Sequence, residues 1–182
     1  MSQVRTIAAC LFVLFLMGCS TANHKELEPE RFQLLPPAEG PGAMLLKQRV
    51  TMEAWGQQRQ FLAVMRLNDT RIQMVALLPT GQQLLSLDYD GKNLTQENLP
   101  SINIPGEDIL ALIQFALWPE HSVTQHYPKE EGWRLELGPQ ERTLLNTAGA
   151  LLKVSYHEND LVVDNYLRDY RVNIHTLEKT DL

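Results

Sequence analysis

Phe61-Leu62-Ala63-Val64-Met65-Arg66-Leu67-Asn68-Asp69-Thr70-Arg71-Ile72-Gln73-Met74-Val75-Ala76-Leu77-Leu78 reads as two strands and the turn between them. Phe61, Ala63, Met65 and Leu67 alternate with Leu62, Val64 and Arg66, and Ile72, Met74, Ala76 and Leu78 alternate with Gln73, Val75 and Leu77. Side chains of a strand point alternately to its two faces, so a period of two places each set on one side of a sheet. Asn68-Asp69-Thr70 supplies the polar residues a tight connection needs.

The same period continues in both directions from about Leu46. Downstream, Pro79-Thr80-Gly81 turns the chain into Leu85, Leu87 and Tyr89, and Asp90-Gly91 is a strong hairpin signal. Trp133 to Leu137, the weaker Thr143 to Asn146, Leu152 to Tyr156, Leu161 to Tyr166 and Tyr170 to His175 repeat it. Short strands with tight connections predict a mainly β (α+β) domain built as an antiparallel meander of about nine to eleven strands. One face of the first strands is wholly apolar, while the other mixes Val64, Val75, Leu77 and Leu84 with polar residues. A sheet with one wet face would split more cleanly. Two causes fit: a helix and a second sheet or rim, or a curved sheet whose concave face holds something apolar.

One segment breaks the pattern. Ile109, Leu112, Ile113, Ala116 and Leu117 follow helical spacing, Pro105 suits the first turn, Glu107 and Asp108 match the dipole, and Pro119 stops the run. The spacing predicts a helix from Pro105 to Trp118 lying across the sheet, either as plain core or as the lid of a pocket.

Upstream, residues 19–44 read as a flexible linker punctuated by Pro29, Pro36, Pro37, Gly40, Pro41 and Gly42. Phe32, Leu34 and Leu35 could instead pack as a first edge element. Arg5 followed by the apolar run Ile7 to Met17 has the parts of a secretory signal, and is too short to span a bilayer. Leu16-Met17-Gly18-Cys19 resembles the bacterial lipobox, although Met17 stands where a small residue is usual. The resemblance implies a signal peptide over 1–18, acylation of Cys19 and a lipid-anchored mature chain. One acyl chain binds membranes only marginally, at about 0.8 kcal/mol per methylene, so lasting attachment needs two or three. Ser20, standing where an aspartate would signal inner-membrane retention, implies the outer membrane, with the domain facing the periplasm of a Gram-negative cell.

The 182-residue chain carries a formal charge of −6, and no basic stripe interleaves with aromatics, so nucleic acid is not an expected partner. Of the two cysteines, Cys10 falls in the signal and Cys19 is the acylation site, which leaves no disulfide, metal cluster or thiol nucleophile in the mature chain. His24, His121, His126, His157 and His175 are scattered, and no metalloprotease helix, nucleophile elbow or phosphate-cradling loop occurs. No enzyme activity, cofactor or metal is expected.

Leu77-Leu78-Pro79-Thr80-Gly81-Gln82-Gln83-Leu84-Leu85-Ser86-Leu87, then Asp90-Gly91, then Ile104-Pro105 through Leu117-Trp118-Pro119, resemble in order the LolA/LolB lipoprotein carriers and receptors. The Pro-Thr-Gly-Gln turn, the Asp-Tyr-Asp-Gly stretch and the Leu-Trp-Pro ending look still more like a LolB-like lipoprotein family found beside aryl polyene pigment genes. The likeness covers roughly residues 46–120 well. It implies an open half-barrel over residues 45–182 with a covering helix and an apolar cavity for acyl chains. Met65, Met74, Leu85, Leu87, Ile109, Leu112, Ile113 and Trp118 would line that cavity. Leu78, Pro79, Thr80 and Gly81 would form the membrane-transfer loop, but Thr80 stands where LolB presents an exposed leucine. The expected role is binding or transfer of an acyl chain, a lipid or an aryl polyene-type lipid at the outer membrane, with a LolA-like periplasmic carrier as a partner. The competing reading is a non-catalytic assembly partner of envelope proteins acting through a sheet edge.

Overall fold

The computed structural model describes residues 31–99 and 105–182; the expected signal segment, Cys19 and the first part of the expected linker lie outside them. Ten strands form one antiparallel sheet: β1 (Met44–Ala54), β2 (Gln57–Asn68), β3 (Arg71–Leu77), β4 (Gln83–Tyr89), β5 (Leu94–Asn98), β6 (Arg134–Leu137), β7 (Glu141–Leu145), β8 (Ala150–His157), β9 (Asp160–Asn165) and β10 (Tyr170–Asp181). Their order is β5-β4-β3-β2-β1-β10-β9-β8-β7-β6. Two five-strand meanders are therefore sewn together by the pairing of the first strand with the last. That pairing runs from Met44 opposite Asp181 to Ala54 opposite Tyr170.

The turns form as the sequence requires. Asn68 Oδ1 accepts from the backbone N–H groups of Thr70 and Arg71, and Asp90 Oδ1 accepts from those of Lys92 and Asn93. Both are side-chain turns of the Asx kind. At the β1–β2 hairpin Trp55 and Gly56 both take positive φ, 49° and 72°, as a two-residue primed turn demands.

The chain between β5 and β6 joins the two opposite edges of the sheet, so it has to cross a face. It does so as α1 (Gly106–Leu117), followed by α2 (Glu120–His126). The helix expected over Pro105 to Trp118 is present, with Pro105 and Trp118 as its caps. The second helix was not foreseen: Pro119 ends one helix and starts the next, its extended backbone resetting the chain direction.

The sheet curls around α1. Gln96 Oε1 on β5 accepts the Gly106 N–H at the helix start, while Arg142 on β7 donates to carbonyls at the helix end. Those two strands are eight steps apart in the sheet order, about 38 Å if flat at ~4.8 Å per strand. The 12-residue helix is only about 18 Å long at ~1.5 Å per residue, so a flat sheet could not touch both its ends. Register shifts at Lys47/Gln48, Ala76/Leu77 and Leu144/Leu145 mark the bulges that sharpen the bend. The shift in β4 leaves Leu84 as an extra residue, which explains why Leu84 and Leu85 are both buried despite being neighbours. The product is an open antiparallel half-barrel with a helix across its concave face.

Residues 31–43, read from sequence as either linker or packing segment, pack. They do so as irregular chain and one 3-10 turn, Pro37–Glu39, rather than as a strand. Phe32 and Leu35 are buried in the core. Gln114, itself buried, holds Leu35 from both sides: its Oε1 accepts from Leu35 N–H at 2.8 Å and its Nε2 donates to Leu35 C=O at 2.6 Å. Trp118 Nε1 donates to Pro36 C=O at 3.0 Å, and Gln33 N–H donates to the Tyr127 hydroxyl at 3.0 Å.

Candidate functional site

The eight residues expected to line an acyl cavity divide into two groups. Met65, Met74, Leu85, Leu87, Leu112 and Trp118 are all buried in one core cluster, filled by neighbours such as Phe115, Tyr127, Leu144 and Leu152. Ile109 and Ile113 are only half-buried, packed against the outside of that cluster. With Leu117 they form an i, i+4, i+8 stripe on one side of α1.

The sheet carries a matching stripe. Phe61 on β2 faces Val50 on β1, Val50 faces Ile174 on β10, Ile174 faces Leu161 on β9, and Leu161 faces Tyr156 on β8. Four of these five are half-buried, Val50 alone being closed off. Two residues along, Met52 and Val172 face each other and are also half-buried. The concave face thus keeps a partly accessible apolar band crossing five strands.

Polar contacts hold α1 at its ends. Arg142 donates to the carbonyls of Phe115 at 3.0 Å and Trp118 at 2.7 Å, satisfying groups that the helix end leaves unpaired. The Tyr156 hydroxyl donates to Ala116 C=O at 2.8 Å. At the other end Arg168 pairs with Asp108 at 3.0 Å, the carboxylate lying in the first turn where the dipole favours it. Gly106 allows a close approach there: a Cβ would press on Gln96 Oε1 and Leu87 Cδ2, and those side chains would have to move. These contacts fasten the helix at both ends.

A concavity of about 770 Å³ opens at one end of this face, between the β1–β2 and β9–β10 hairpin tips. Its walls include Glu53, Trp55, Gln57, Gln58, Asp164, Tyr166, Asp169, Tyr170 and Arg171. Burial pushes the Tyr170 hydroxyl up to about 12, so it stays protonated. Trp55, 83% exposed, was not singled out from the sequence. The available signal was a tryptophan before a glycine between two alternating runs. The expected transfer loop Leu78-Pro79-Thr80-Gly81 is a tight turn closed by Gly81 N–H donating to Leu78 C=O, with Pro79, Thr80 and Gly81 exposed and Leu78 half-buried.

A small titratable cluster ties the N-terminal segment to α2. Glu39 Oε2 accepts from Ser122 Oγ at 2.8 Å and lies 2.9 Å from His126 Nε2. Burial raises the Glu39 carboxyl, but the hydrogen bonds to Ser122 and His126 and the nearby imidazoles outweigh it, leaving it below the usual range. Of the five histidines, His175 also pairs, with Asp160 at 2.6 Å. Among the described residues no group of three or more His, Cys, Asp or Glu gathers as a metal site, and no helix is long and apolar enough to cross a membrane.

Among curated proteins no relative matches the chain. Among solved structures it is similar to a Vibrio parahaemolyticus domain described as an outer membrane lipoprotein-sorting protein domain, at 8% identity and TM-score 0.38, covering 79% of this chain and 87% of that one. The fold described above rests on this chain's own strand order and not on that likeness. A family profile matches residues 45–178, from the start of β1 into β10. The chain belongs to the family described as protein of unknown function (DUF3261).

Proposed function

We propose that the domain is a lipid-binding module, anchored at the outer membrane through acylated Cys19, that takes an apolar chain along its concave band. The observation that carries this reading is the half-buried apolar stripe Phe61, Ile174, Leu161 and Tyr156 on the sheet, together with the half-buried stripe Ile109, Ile113 and Leu117 on α1. Covering about eight methylenes at ~0.8 kcal/mol each would contribute roughly 6 kcal/mol, enough to offset only the lower estimates of association cost. Binding would therefore be reversible, as a carrier requires. Met65, Met74, Leu85, Leu87, Leu112 and Trp118 are the core on which the band rests and become reachable when α1 lifts. An aryl polyene-type lipid is one candidate amphiphile, and a LolA-like periplasmic carrier the corresponding partner. The domain performs no chemistry in this reading.

The competing edge-docking reading is weakened by the edges themselves. β5 has five residues and β6 four, and both carry charged or amide side chains, as protected edges do.

The test is mass spectrometry of solvent extracts from the full chain, purified without detergent exchange from its native envelope. A bound amphiphile in near-stoichiometric amount, lost in an Ile113→Glu/Val172→Glu variant of unchanged melting temperature, supports the reading. Lipid-free protein, or lipid retained equally by the variant, refutes it. The same spectra report the mass of the amino-terminal peptide, and an unmodified Cys19 would remove the anchor from the account.

A further inference from the structure

Successive strands of an antiparallel meander turn back at alternate ends of the sheet, and here the two ends differ in chemistry. One end carries the turns 69–70, 90–93, 138–140 and 158–159. Asp69, Asp90, Lys92 and Glu158 put charge on three of them, and none holds an aromatic residue. The other end carries the turns 55–56, 78–82, 146–149 and 166–169. The only charged residues in these turns are Arg168 and Asp169, and Arg168 is already paired with Asp108 at 3.0 Å. The same turns hold Trp55 and Tyr166, 83% and 53% exposed.

The two aromatic turns leave the sheet side by side. Ala54, the last residue of β1, faces Tyr170, the first of β10, and Tyr170 faces Asn165, the last of β9. Trp55 and Tyr166 both border the concavity between these turns. Trp55 sits in a two-residue turn with positive φ at both positions, so its indole projects from a connection without slack. The turn 78–82 at the same end is uncharged too, but Leu78 is half-buried and Pro79 is its only exposed apolar side chain. Two residues in from Ala54 and Tyr170, on the same face, are Met52 and Val172, where the half-buried band begins. Indole and phenol rings, each an apolar body with one polar group, favour the layer between water and hydrocarbon. From Cys19 to Arg31, the first described residue, the chain can span at most about 40 Å, so an acylated Cys19 keeps the domain within reach of one bilayer surface.

Building on the lipid-binding reading, we propose that this end of the sheet docks on the bilayer, with Trp55 and Tyr166 seated in the headgroup layer and the apolar band opening toward the lipid. A zwitterionic surface suits it better than an anionic one, because the one cation in these turns is paired and Asp169 is negative. The test uses the full chain with its native amino terminus in phosphatidylcholine–phosphatidylethanolamine vesicles, with and without brominated acyl chains. Trp118 is fully buried, and the difference in emission between the parent and Trp55→Phe isolates the Trp55 indole. A second variant, Trp55→Phe with Asp69→Trp, moves the reporter to the opposite end. Both positions are exposed turn residues, and melting temperatures check that the variants fold. Trp55 emission is expected to shift to the blue and to be quenched by brominated lipid at least fivefold more than the Asp69→Trp reporter, which stays open to aqueous iodide. High salt is expected to leave the Trp55 quenching within twofold, since no free cation of these turns draws the protein to the surface. Trp55 quenched by iodide but not by brominated lipid, both reporters quenched alike, or quenching abolished by salt overturns the docking. So does a Trp55 already shielded from iodide without vesicles, the mark of a protein contact at this end. An amphiphile found in solvent extracts alongside an undocked Trp55 overturns the docking alone and leaves the lipid-binding reading in place.

Discussion

Replacing Gln114 by leucine should unfasten the amino-terminal segment from the helix it lies on. Gln114 is fully buried and makes two hydrogen bonds, at 2.8 and 2.6 Å, to the backbone of Leu35, which is fully buried as well. Leucine fills most of the same volume but can neither donate nor accept. The Leu35 N–H and C=O would then be orphaned in the core, each costing about 1–3 kcal/mol, so roughly 3 kcal/mol in total is expected after partial relaxation. For a domain of this size that corresponds to a melting temperature lower by about 6–12 °C. Urea unfolding should show a lower midpoint, and hydrogen exchange should quicken first at residues 33–36, before the strands. A variant melting within about 2 °C of the parent, with exchange at Leu35 unchanged, would refute the claim that this segment is part of the fold.

Gly106→Ala should destabilise by about 1–3 kcal/mol, because the added Cβ forces the helix start away from Gln96 and Leu87; unchanged denaturant stability would show that the close approach is not real. Arg142→Met should leave the α1 terminal carbonyls unpaired and raise hydrogen-exchange rates across Phe115 to Trp118 while β2 and β3 stay protected. Glu39, whose folded carboxyl lies below its ordinary value of 4.5, adds stability that is complete above that pH and lost as acid protonates it. Glu39→Gln should therefore flatten the fall in stability between about pH 5 and 3, read from urea midpoints, and a parallel acid limb in both proteins would contradict it.

Much of the architecture is legible in the chain because each strand alternates cleanly and each turn carries its own chemistry, as Asn68 and Asp90 show. The helix was legible for the same reason, bounded by Pro105 and Pro119. What periodicity cannot reveal is long-range register. The pairing of β1 with β10, which joins the two meanders, depends on residues more than a hundred positions apart. The helix after Pro119 is seven residues with no apolar stripe beyond Val123, too short to register as a pattern. The site was legible only in part. Helical spacing places Ile109 and Ile113 on one side of α1, and alternation says which strand residues share a face, but neither says how far along that face the core is sealed. Met65, Met74, Leu85 and Leu87 share the concave side with Val172 and Ile174, yet only the latter pair stays half-open. The curvature that separates them comes from bulges invisible in the hydrophobic pattern. Trp55 was missed because an exposed aromatic in a turn has no periodic signal at all.

Isoleucine-methyl NMR of the full chain with Cys19→Ser, titrated with an uncharged decyl amphiphile, probes the claim at single-residue level. Ile109, Ile113 and Ile174 are half-buried, whereas Ile72 is 1% exposed in the closed core. Saturable shifts at the first three with Ile72 unmoved are the predicted result. Shifts at none of them, or at Ile72 alone, would contradict it.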